Sequence, residues 1–369
     1  MSEFNTSDFL NPMVSQTWTN GRHMVRCAKV IAETHDVTTF TFNMNHPVLF
    51  LFKPGQFVTL ELEINGERVM RSYTISSSPS IPYSFSITVK RVPGGLVSNW
   101  LHDNLKSGDQ LAIHGPVGQF NCMDFPAEKV LLLSGGVGIT PVMSMARWWF
   151  DTDSEVDYVF AHSARTPKDI IYRHELSYMS SRIDNFKSHL ICEKTEIGQA
   201  WDGYRGYLNI HMLNLIAPDF REREVFCCGP TPYMSAVKSM LESNGFDMSH
   251  YHEESFGATP VADVAQAEKH AEMAEIQDQQ PKDLVSLRFA DSDQVIEVDR
   301  GSNINEAAAE AGVNISKACG IGICGACRVK VISGEFEMLQ GGGISDEEIA
   351  EGYILTCCSS IQSDLVIES

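Results

Sequence analysis

The sequence predicts three domains: an antiparallel β-barrel over residues 1–125, an α/β domain with a parallel sheet over 126–257 and, after a linker at 258–283, an α+β domain over 284–369. Three observations support this multi-domain fold class. Apolar and polar residues alternate over short runs in the first third, strand-like runs alternate with helical ones in the middle, and cysteines crowd together near the end. The length of 369 residues agrees, because roughly 150 residues per domain is a common size.

Composition excludes several classes of function. Apolar residues make up 43% of the chain, which is ordinary for a globular protein. The formal net charge of −20 argues against binding to nucleic-acid phosphates or to an anionic membrane surface. The N-terminal run MSEFNTSDFL is polar and acidic, unlike a secretory signal. We therefore expect a cytoplasmic protein with neither a nucleic acid nor a membrane as its partner.

The barrel prediction rests first on a hairpin. Phe57–Ile64 alternates apolar and polar residues, Asn65-Gly66 follows, and Val69–Ser76 is a second extended run. Asn-Gly between two such runs is typical of a two-residue hairpin turn. Tyr83–Val92 is a further alternating run, and short strands at close spacing favour a small antiparallel barrel.

The α/β prediction rests on two strand–turn–helix patterns. In the first, the short apolar run Val130–Leu133 precedes a glycine-rich turn, and Thr140 is placed to cap a helix with Pro141 at its first position. In the second, Val225–Cys228 is the strand and Thr231 is the predicted cap. Strands that alternate with helices imply a parallel sheet of the nucleotide-binding type.

Ten cysteines are present, and half of them lie within residues 319–369. Cys319, Cys324, Cys327 and Cys357 have the spacing C-x4-C-x2-C…C, which is typical of plant-type [2Fe–2S] clusters. Zinc is the alternative, although structural zinc sites usually show paired C-x2-C knuckles. Cys358 leaves the fourth ligand ambiguous; we choose Cys357 because YILTC resembles the Y-x-L-x-C run of plant-type ferredoxins.

The C-terminal domain is strongly acidic. Residues 283–369 carry a net charge of −10, which is half of the excess of the whole chain. Two interpretations remain open: these carboxylates provide solubility, or they form an acidic docking face for a basic partner.

Arg71-Ser72-Tyr73-Thr74 ends one of the predicted barrel strands. A flavin needs a cation for its phosphates, a flat side chain against its ring or ribityl chain and a hydroxyl near N5, and these residues supply all three. An ordinary surface strand is the alternative interpretation of so short a motif. The run Gly94–Ser98 follows, and it could open a helix whose N–H groups face a pyrophosphate.

Two further motifs end predicted strands of the α/β domain. The run GGVGITP at 135–141 lacks the G-x-G-x-x-G spacing of the dinucleotide fingerprint, but backbone amides at a helix N-terminus suit a pyrophosphate. Cys227-Cys228-Gly229-Pro230 ends the later strand. For Cys227 we favour a buried structural role.

The order of these motifs resembles the ferredoxin–NAD(P) reductase superfamily fused to a C-terminal plant-type ferredoxin of the β-grasp fold. The resemblance implies that FAD and the nicotinamide nucleotide are bound by two sets of residues. The flavin set is Arg71, Ser72, Tyr73, Thr74, Gly95, Val97, Ser98 and Phe256, the last from the run ESF. The nucleotide set is Gly136, Gly138, Thr140, Pro141, Arg165, Cys228, Gly229 and Pro230.

The same resemblance implies particular roles. Thr74 would hydrogen-bond flavin N5, and Cys228 would lie beside the nicotinamide, so both are catalytic candidates. FAD is favoured over FMN because residues 75–77 read ISS, whereas FMN-binding members often continue with Leu-Cys-Asn. NADH is favoured over NADPH, although Arg165 could meet a 2′-phosphate, stack, or simply face solvent.

Four stretches carry a closer resemblance: RSYTISSSP (71–79), PVMSMARW (141–148), RTPKDIIY (165–172) and EGYILTCC (351–358). They resemble the reductases of Rieske-type glycine betaine (quaternary amine) demethylases and the NADH oxidoreductases of hybrid-cluster protein. The implied function is electron transfer from NADH through FAD and [2Fe–2S] to a separate protein. That partner would be a Rieske-type terminal oxygenase or hybrid-cluster protein, docking on the acidic ferredoxin domain. An electron-transfer subunit of another oxidoreductase complex is the remaining alternative.

Overall fold

The computed structural model describes residues 16–18, 22–44, 48–256, 284–292, 294–313, 315, 322, 327–338, 344 and 346–368. The chain divides into two compact units, Met1–Phe256 and Gly257–Ser369. The predicted linker, residues 258–283, lies wholly outside the described residues. Within the described ranges, no helix combines the length and the apolar character needed to cross a lipid bilayer.

An antiparallel barrel forms the first half of unit 1. Its strands are β1 (Gln16–Thr17), β2 (Arg22–Ala32), β3 (Val37–Asn43), β4 (Val48–Leu49), β5 (Phe57–Ile64), β6 (Glu67–Thr74), β7 (Ser84–Lys90) and β8 (Gln110–Val117), with helix α1 (Leu96–Asn104) before the last. Six of them form one sheet in the order β6-β5-β8-β2-β3-β7. A bridge between Ile75 and Ile87 joins its two edges and closes the barrel. The interior is apolar, with Phe40, Phe42 and Leu60 fully buried.

The predicted hairpin is present. β5 and β6 pair from Phe57↔Thr74 to Ile64↔Glu67, and Asn65 and Gly66 between them have φ of 57° and 84°. Two successive positive φ values define the type I′ turn, which matches the right-handed twist of the strands.

A parallel sheet forms the second half of unit 1, in the order β12-β11-β10-β9-β13-β14. Its strands are β9 (Lys129–Gly135), β10 (Asp157–Ala164), β11 (Phe186–Cys192), β12 (Tyr204–Arg205), β13 (Glu224–Cys228) and β14 (Tyr251–Glu254). Its helices are α2 (Ile139–Asp151), α3 (Arg173–Ser180), α4 (Ile210–Ile216) and α5 (Thr231–Ser243). Alternate residues of β9 pack into two different cores. Leu132 lies in one core, and Leu131 and Leu133 lie in the other, so both faces of the sheet are covered.

Both predicted helix caps are wrong by one or two residues. Gly138 caps α2 after a 3₁₀ turn at Gly136–Gly138. Thr140 therefore lies inside the helix, where its hydroxyl donates back to the Val137 carbonyl at 3.2 Å. Pro230, not Thr231, caps α5, because Thr231 already lies within the helix; Pro232 follows in the first turn, where its missing N–H costs no hydrogen bond.

Unit 2 is a small α+β domain. Its strands are β15 (Leu284–Phe289), β16 (Gln294–Asp299), β17 (Arg328–Ser333), β18 (Phe336–Met338), β19 (Tyr353–Leu355), β20 (Ser359–Ile361) and β21 (Leu365–Glu368), with helices α6 (Ile304–Glu310) and α7 (Asp346–Ala350). Five strands form a mixed sheet in the order β16-β15-β21-β17-β19. Helix α6 packs its Ile304, Ala307 and Ala308 into the core of this sheet. The predicted fold class is thus confirmed.

Candidate functional site

The flavin motif lies at the end of barrel strand β6. Arg71 and Ser72 are exposed, while Tyr73 is partly buried against the barrel core. The Ser72 hydroxyl bonds that of Thr59 at 2.9 Å, and desolvation raises the pKa of Tyr73, which keeps the phenol neutral. The exposed Arg71 guanidinium leaves a cation available for an anionic group, as a flavin phosphate requires.

Thr74 connects the barrel to the parallel sheet. Its hydroxyl, 5% exposed, donates to a carboxylate oxygen of Glu254 at 3.3 Å. Burial raises the pKa of Glu254 from 4.5 to about 8, so this carboxyl holds a proton over much of the neutral range. The motif ESF was recognised in the sequence, but Glu254 itself was not predicted as a site residue, because only the fold brings it to Thr74.

Cys228 is the register neighbour of Glu254, across β13 and β14. Its side chain is fully buried, and desolvation, followed by the Glu254 charge, raises the pKa of the thiol well above its ordinary value. A protonated, apolar thiol suits packing against an uncharged ring rather than nucleophilic attack. Thr74, Glu254 and Cys228 are thus brought to one place.

The turn before helix α1 contains the second part of the predicted flavin site. Gly94 has φ of +72°, Gly95 caps the helix, and the Ser98 hydroxyl accepts from the amide of Val92 at 3.2 Å. Val97 is buried. The amides of the first helical turn have no partner within a helix, so they fit a phosphate group.

Two glycines of the predicted nucleotide site, Gly138 and Gly229, have no space for a side chain. A Cβ on Gly138 would lie 2.4 Å from the carbonyl oxygen of Cys228, and one on Gly229 would lie 2.8 Å from the Tyr233 ring. Gly136, at φ +54°, has open space around it. The glycines therefore bring two backbone segments together at the carboxyl ends of β9 and β13, the edge where open α/β sheets bind ligands.

The remaining predicted residues of unit 1 flank these features. Pro141 is buried in the first turn of α2, and Pro230 is exposed at the start of α5. Arg165 is exposed just after β10, and its carbonyl accepts from the amide of Lys194 at 3.0 Å. Phe256, 39% exposed, lies two residues beyond Glu254.

Two of the four predicted cluster cysteines, Cys319 and Cys324, lie outside the described residues. Cys327 and Cys357 are 1% and 6% exposed and share an apolar pocket with Ile344. The amide of Cys357 donates to Sγ of Cys327 at 3.5 Å. Buried sulfurs that accept backbone N–H groups fit a thiolate-bound cluster, because such bonds stabilise the anionic ligands and tune the potential.

Helix α6 holds the segment that carries Cys357, the predicted fourth ligand. Asn303 caps the helix and donates from its amide to the Cys357 carbonyl at 3.1 Å. The Asn305 amide donates to the Thr356 hydroxyl at 3.0 Å, which in turn donates to the Cys327 carbonyl at 3.1 Å. These asparagines were not predicted as site residues, since their role depends on where the helix packs.

A barrel with a flavin motif, a parallel sheet with a nucleotide loop and a domain with buried paired cysteines define a class: flavin- and pyridine-nucleotide-dependent reductases with their own iron–sulfur domain. Residues 25–122 match the oxidoreductase FAD-binding domain family, 132–239 the oxidoreductase NAD-binding domain family and 287–362 the 2Fe-2S iron-sulfur cluster binding domain family. The chain is an NAD(P)H-dependent oxidoreductase with FAD and a [2Fe–2S] cluster.

Individual relatives narrow the family further than the domain matches do. The chain is 64% identical to the glycine betaine monooxygenase reductase subunit of Pseudomonas aeruginosa, over 98% of this chain and 100% of that one. It is 31% identical to the NADH oxidoreductase HCR of Escherichia coli, over 92% and 95% of the two chains. Among solved structures, phthalate dioxygenase reductase has a TM-score of 0.58 at 24% identity, with 95% of this chain and 98% of that chain covered. The chain belongs to the family of the glycine betaine monooxygenase reductase subunits.

Proposed function

We propose that this protein passes electrons from NADH to a separate Rieske-type terminal oxygenase that demethylates glycine betaine or a related quaternary amine. The observation that carries this proposal is the 64% identity, over 98% of this chain, to a reductase subunit of that name. The proposal includes a cytoplasmic location. It also includes the predicted domain boundaries, with domains at 1–125, 126–257 and 284–369 and a linker at 258–283.

Unit 1 would bind FAD and NADH through its own backbone and side chains. Arg71 and the first-turn amides of α1 would hold the flavin phosphates, and Tyr73 would pack along the cofactor. The loop at Gly136–Pro141 and the turn at Cys228–Pro230 would hold the nucleotide. When bound, FAD accepts a hydride from NADH and releases its electrons singly to the cluster.

Thr74 and Glu254 would hold and exchange a proton beside the site of hydride transfer. The Thr74 hydroxyl donates to an oxygen of the Glu254 carboxyl group. It would therefore lie between that carboxyl group and a flavin held on β6. A carboxyl with a pKa of about 8 can accept and return a proton near neutral pH, as a general acid–base group requires.

Unit 2 would hold the cluster through Cys319, Cys324, Cys327 and Cys357. Cys358 is less suited, because its thiol donates to the Leu355 carbonyl at 3.4 Å. The net charge of −10 over residues 283–369 favours this unit as the face that a basic oxygenase surface approaches, since complementary charge raises association rates.

The test is formaldehyde release from glycine betaine by this reductase, NADH and a purified, iron-loaded Rieske oxygenase subunit. Release that requires the reductase supports the proposal. The matched control is Cys324→Ser, which we expect to abolish formaldehyde release while NADH still reduces the flavin. Loss of flavin reduction in that variant would contradict the separation of the two sites.

Hybrid-cluster protein is the second candidate partner, on the strength of the 31% identity to NADH oxidoreductase HCR. Wild-type reductase that reduces an artificial one-electron acceptor but supports no formaldehyde release would overturn the oxygenase assignment. NADH-dependent reduction of hybrid-cluster protein would then identify this partner.

A further inference from the structure

One face of helix α2 is hydrogen-bonded to the segment that directly follows the flavin motif. The Ser144 hydroxyl donates to the Ser77 carbonyl at 2.7 Å. One turn along the helix, the Arg147 guanidinium donates to the Ser76 carbonyl. Because residues three apart share one stripe of a helix, α2 is fixed along this stripe to the barrel.

Arg147 also joins α2 to helix α3. Two of its nitrogens donate to the two carboxylate oxygens of Glu175 at 2.7 and 2.6 Å, and the guanidinium lies 4.4 Å from the centre of the Tyr172 ring. The Arg147 side chain is only 18% exposed. A bidentate, charge-assisted pair in such a position fixes orientation as well as distance.

Tyr172 is held from the barrel side as well. Its φ of +57° is uncommon for a residue with a side chain, and such conformations persist where the surroundings over-determine them. Its hydroxyl bonds that of Thr88 on β7. Thr88 in turn bonds the hydroxyls of Thr39 at 2.8 Å and Ser76 at 3.0 Å.

Three of the residues involved lie in stretches that carry the closer resemblance: Ser76 in 71–79, Arg147 in 141–148 and Tyr172 in 165–172. They are absent from the proposed flavin and nucleotide sets. Their place in the fold is nevertheless specific, because they join the segment after the flavin motif to the helix that begins at the nucleotide loop.

We propose that Ser76, Arg147, Tyr172 and Glu175, together the α2 clamp, position the nicotinamide against the flavin for hydride transfer. Arg147 is a positioning residue in this proposal, which rests on the proposed flavin and nucleotide sites. Arg147 lies eight residues after the start of α2, or ~12 Å along the helix, so a tilt of ~5° at the clamp moves the loop by ~1 Å. A displacement of that size can reduce the rate by about 10²-fold.

The experiment compares wild type, Arg147→Met, Arg147→Lys and Tyr172→Phe as FAD-loaded full-length proteins. Stopped-flow flavin reduction over a series of NADH concentrations separates the limiting rate from the dissociation constant. For Arg147→Met we expect a limiting rate lower by roughly 10- to 100-fold, a much smaller change in the dissociation constant, and a weaker charge-transfer absorbance between nucleotide and flavin. Arg147→Lys, which keeps the charge but not the fork, should be intermediate.

The control is Arg182→Met, since Arg182 also stacks on a tyrosine, Tyr178, at 5.1 Å. It should leave flavin reduction unchanged. A readout independent of turnover is hydrogen exchange in the FAD-free protein, where residues 75–80 should exchange faster in Arg147→Met than in wild type.

Arg147→Met with a wild-type limiting rate and charge-transfer absorbance overturns the clamp. Should that variant not fold, the same result in Tyr172→Phe and Glu175→Gln overturns it. Failure of the proposed flavin and nucleotide sites is distinguishable, because NADH would then not reduce the flavin of the wild type either.

Discussion

Replacing Gly138 with alanine sets a smaller conformational entropy of the unfolded chain against steric overlap in the folded one. Gly138, the cap of α2, has φ of −62°, so alanine is compatible with the local backbone, and the smaller conformational freedom of the unfolded chain alone predicts a gain of about 0.4–1 kcal/mol. The new Cβ, however, would lie 2.4 Å from the Cys228 carbonyl oxygen and 2.5 Å from the Gly229 amide nitrogen. Overpacking of this kind costs about 1–3 kcal/mol, and backbone atoms cannot rotate away as a side chain can. We therefore expect a net loss of about 1 kcal/mol in the free energy of unfolding.

The kinetic consequence of the same substitution is larger. Ordinary contact begins near 3.4 Å, so the two backbone segments of the proposed nucleotide site must separate by about 1 Å. This predicts a fall of about 10²-fold in the rate of flavin reduction. That factor corresponds to about 2.7 kcal/mol of lost transition-state stabilisation. Stopped-flow reduction by NADH measures the rate, and urea unfolding at fixed FAD content measures the stability.

The control for this prediction is Gly245→Ala. Gly245 has φ of +72° with open space around its Cα, so alanine there introduces backbone strain without overlap, and flavin reduction should not change. A Gly138→Ala protein that is more stable than wild type and is reduced at the wild-type rate would refute the close packing of the two segments.

Two further predictions concern single side chains. Cys357→Ser should lose the visible absorbance of the cluster, whereas Cys358→Ser should keep it. The reason is that Cys357 is buried beside Cys327, while Cys358 is only partly buried and its thiol donates to the Leu355 carbonyl. The reverse pattern would reassign the ligand. Burial raises the pKa of Glu254 from 4.5 to about 8, so the folded chain binds the extra proton between these values and the free energy of unfolding falls as pH rises through that window. Urea unfolding of wild type and Glu254→Gln over this range measures the difference, and identical slopes would contradict it.

Local patterns predicted the elements of the fold well. The Asn65-Gly66 turn formed between the predicted strands because two positive φ values are acceptable to few residue pairs. The helix caps were less predictable. Thr140 has the chemistry of a cap, but the 3₁₀ turn through Gly136–Gly138 begins the helical path earlier, and nothing in the spacing of these glycines signals such a turn.

Residues whose role depends on tertiary packing were missed. Arg147 and Tyr172 lie within stretches that carry the closer resemblance to known reductases, yet neither residue belongs to a motif with a recognisable chemical role. Their partners, Glu175 and Ser76, are 28 and 71 residues from Arg147. Sequence spacing can predict a bidentate pair within one helix, but not one that joins two helices and a barrel.

The meeting of Thr74, Glu254 and Cys228 shows why the candidate site was only partly predictable. Thr74 and Glu254 are 180 residues apart, and Cys228 becomes the neighbour of Glu254 through the register of β13 and β14. A slip of one residue in that register would turn Glu254 to the opposite face of the sheet. Because Gly138 has no Cβ, the start of α2 can pack directly against the backbone at the end of β13. The same contact therefore shapes the predicted nucleotide loop and fixes the strand that carries Cys228. Glycines in a pattern typical of cofactor binding can therefore be recognised from the sequence, whereas the raised pKa of the nearby Glu254 carboxyl follows from strand register and burial.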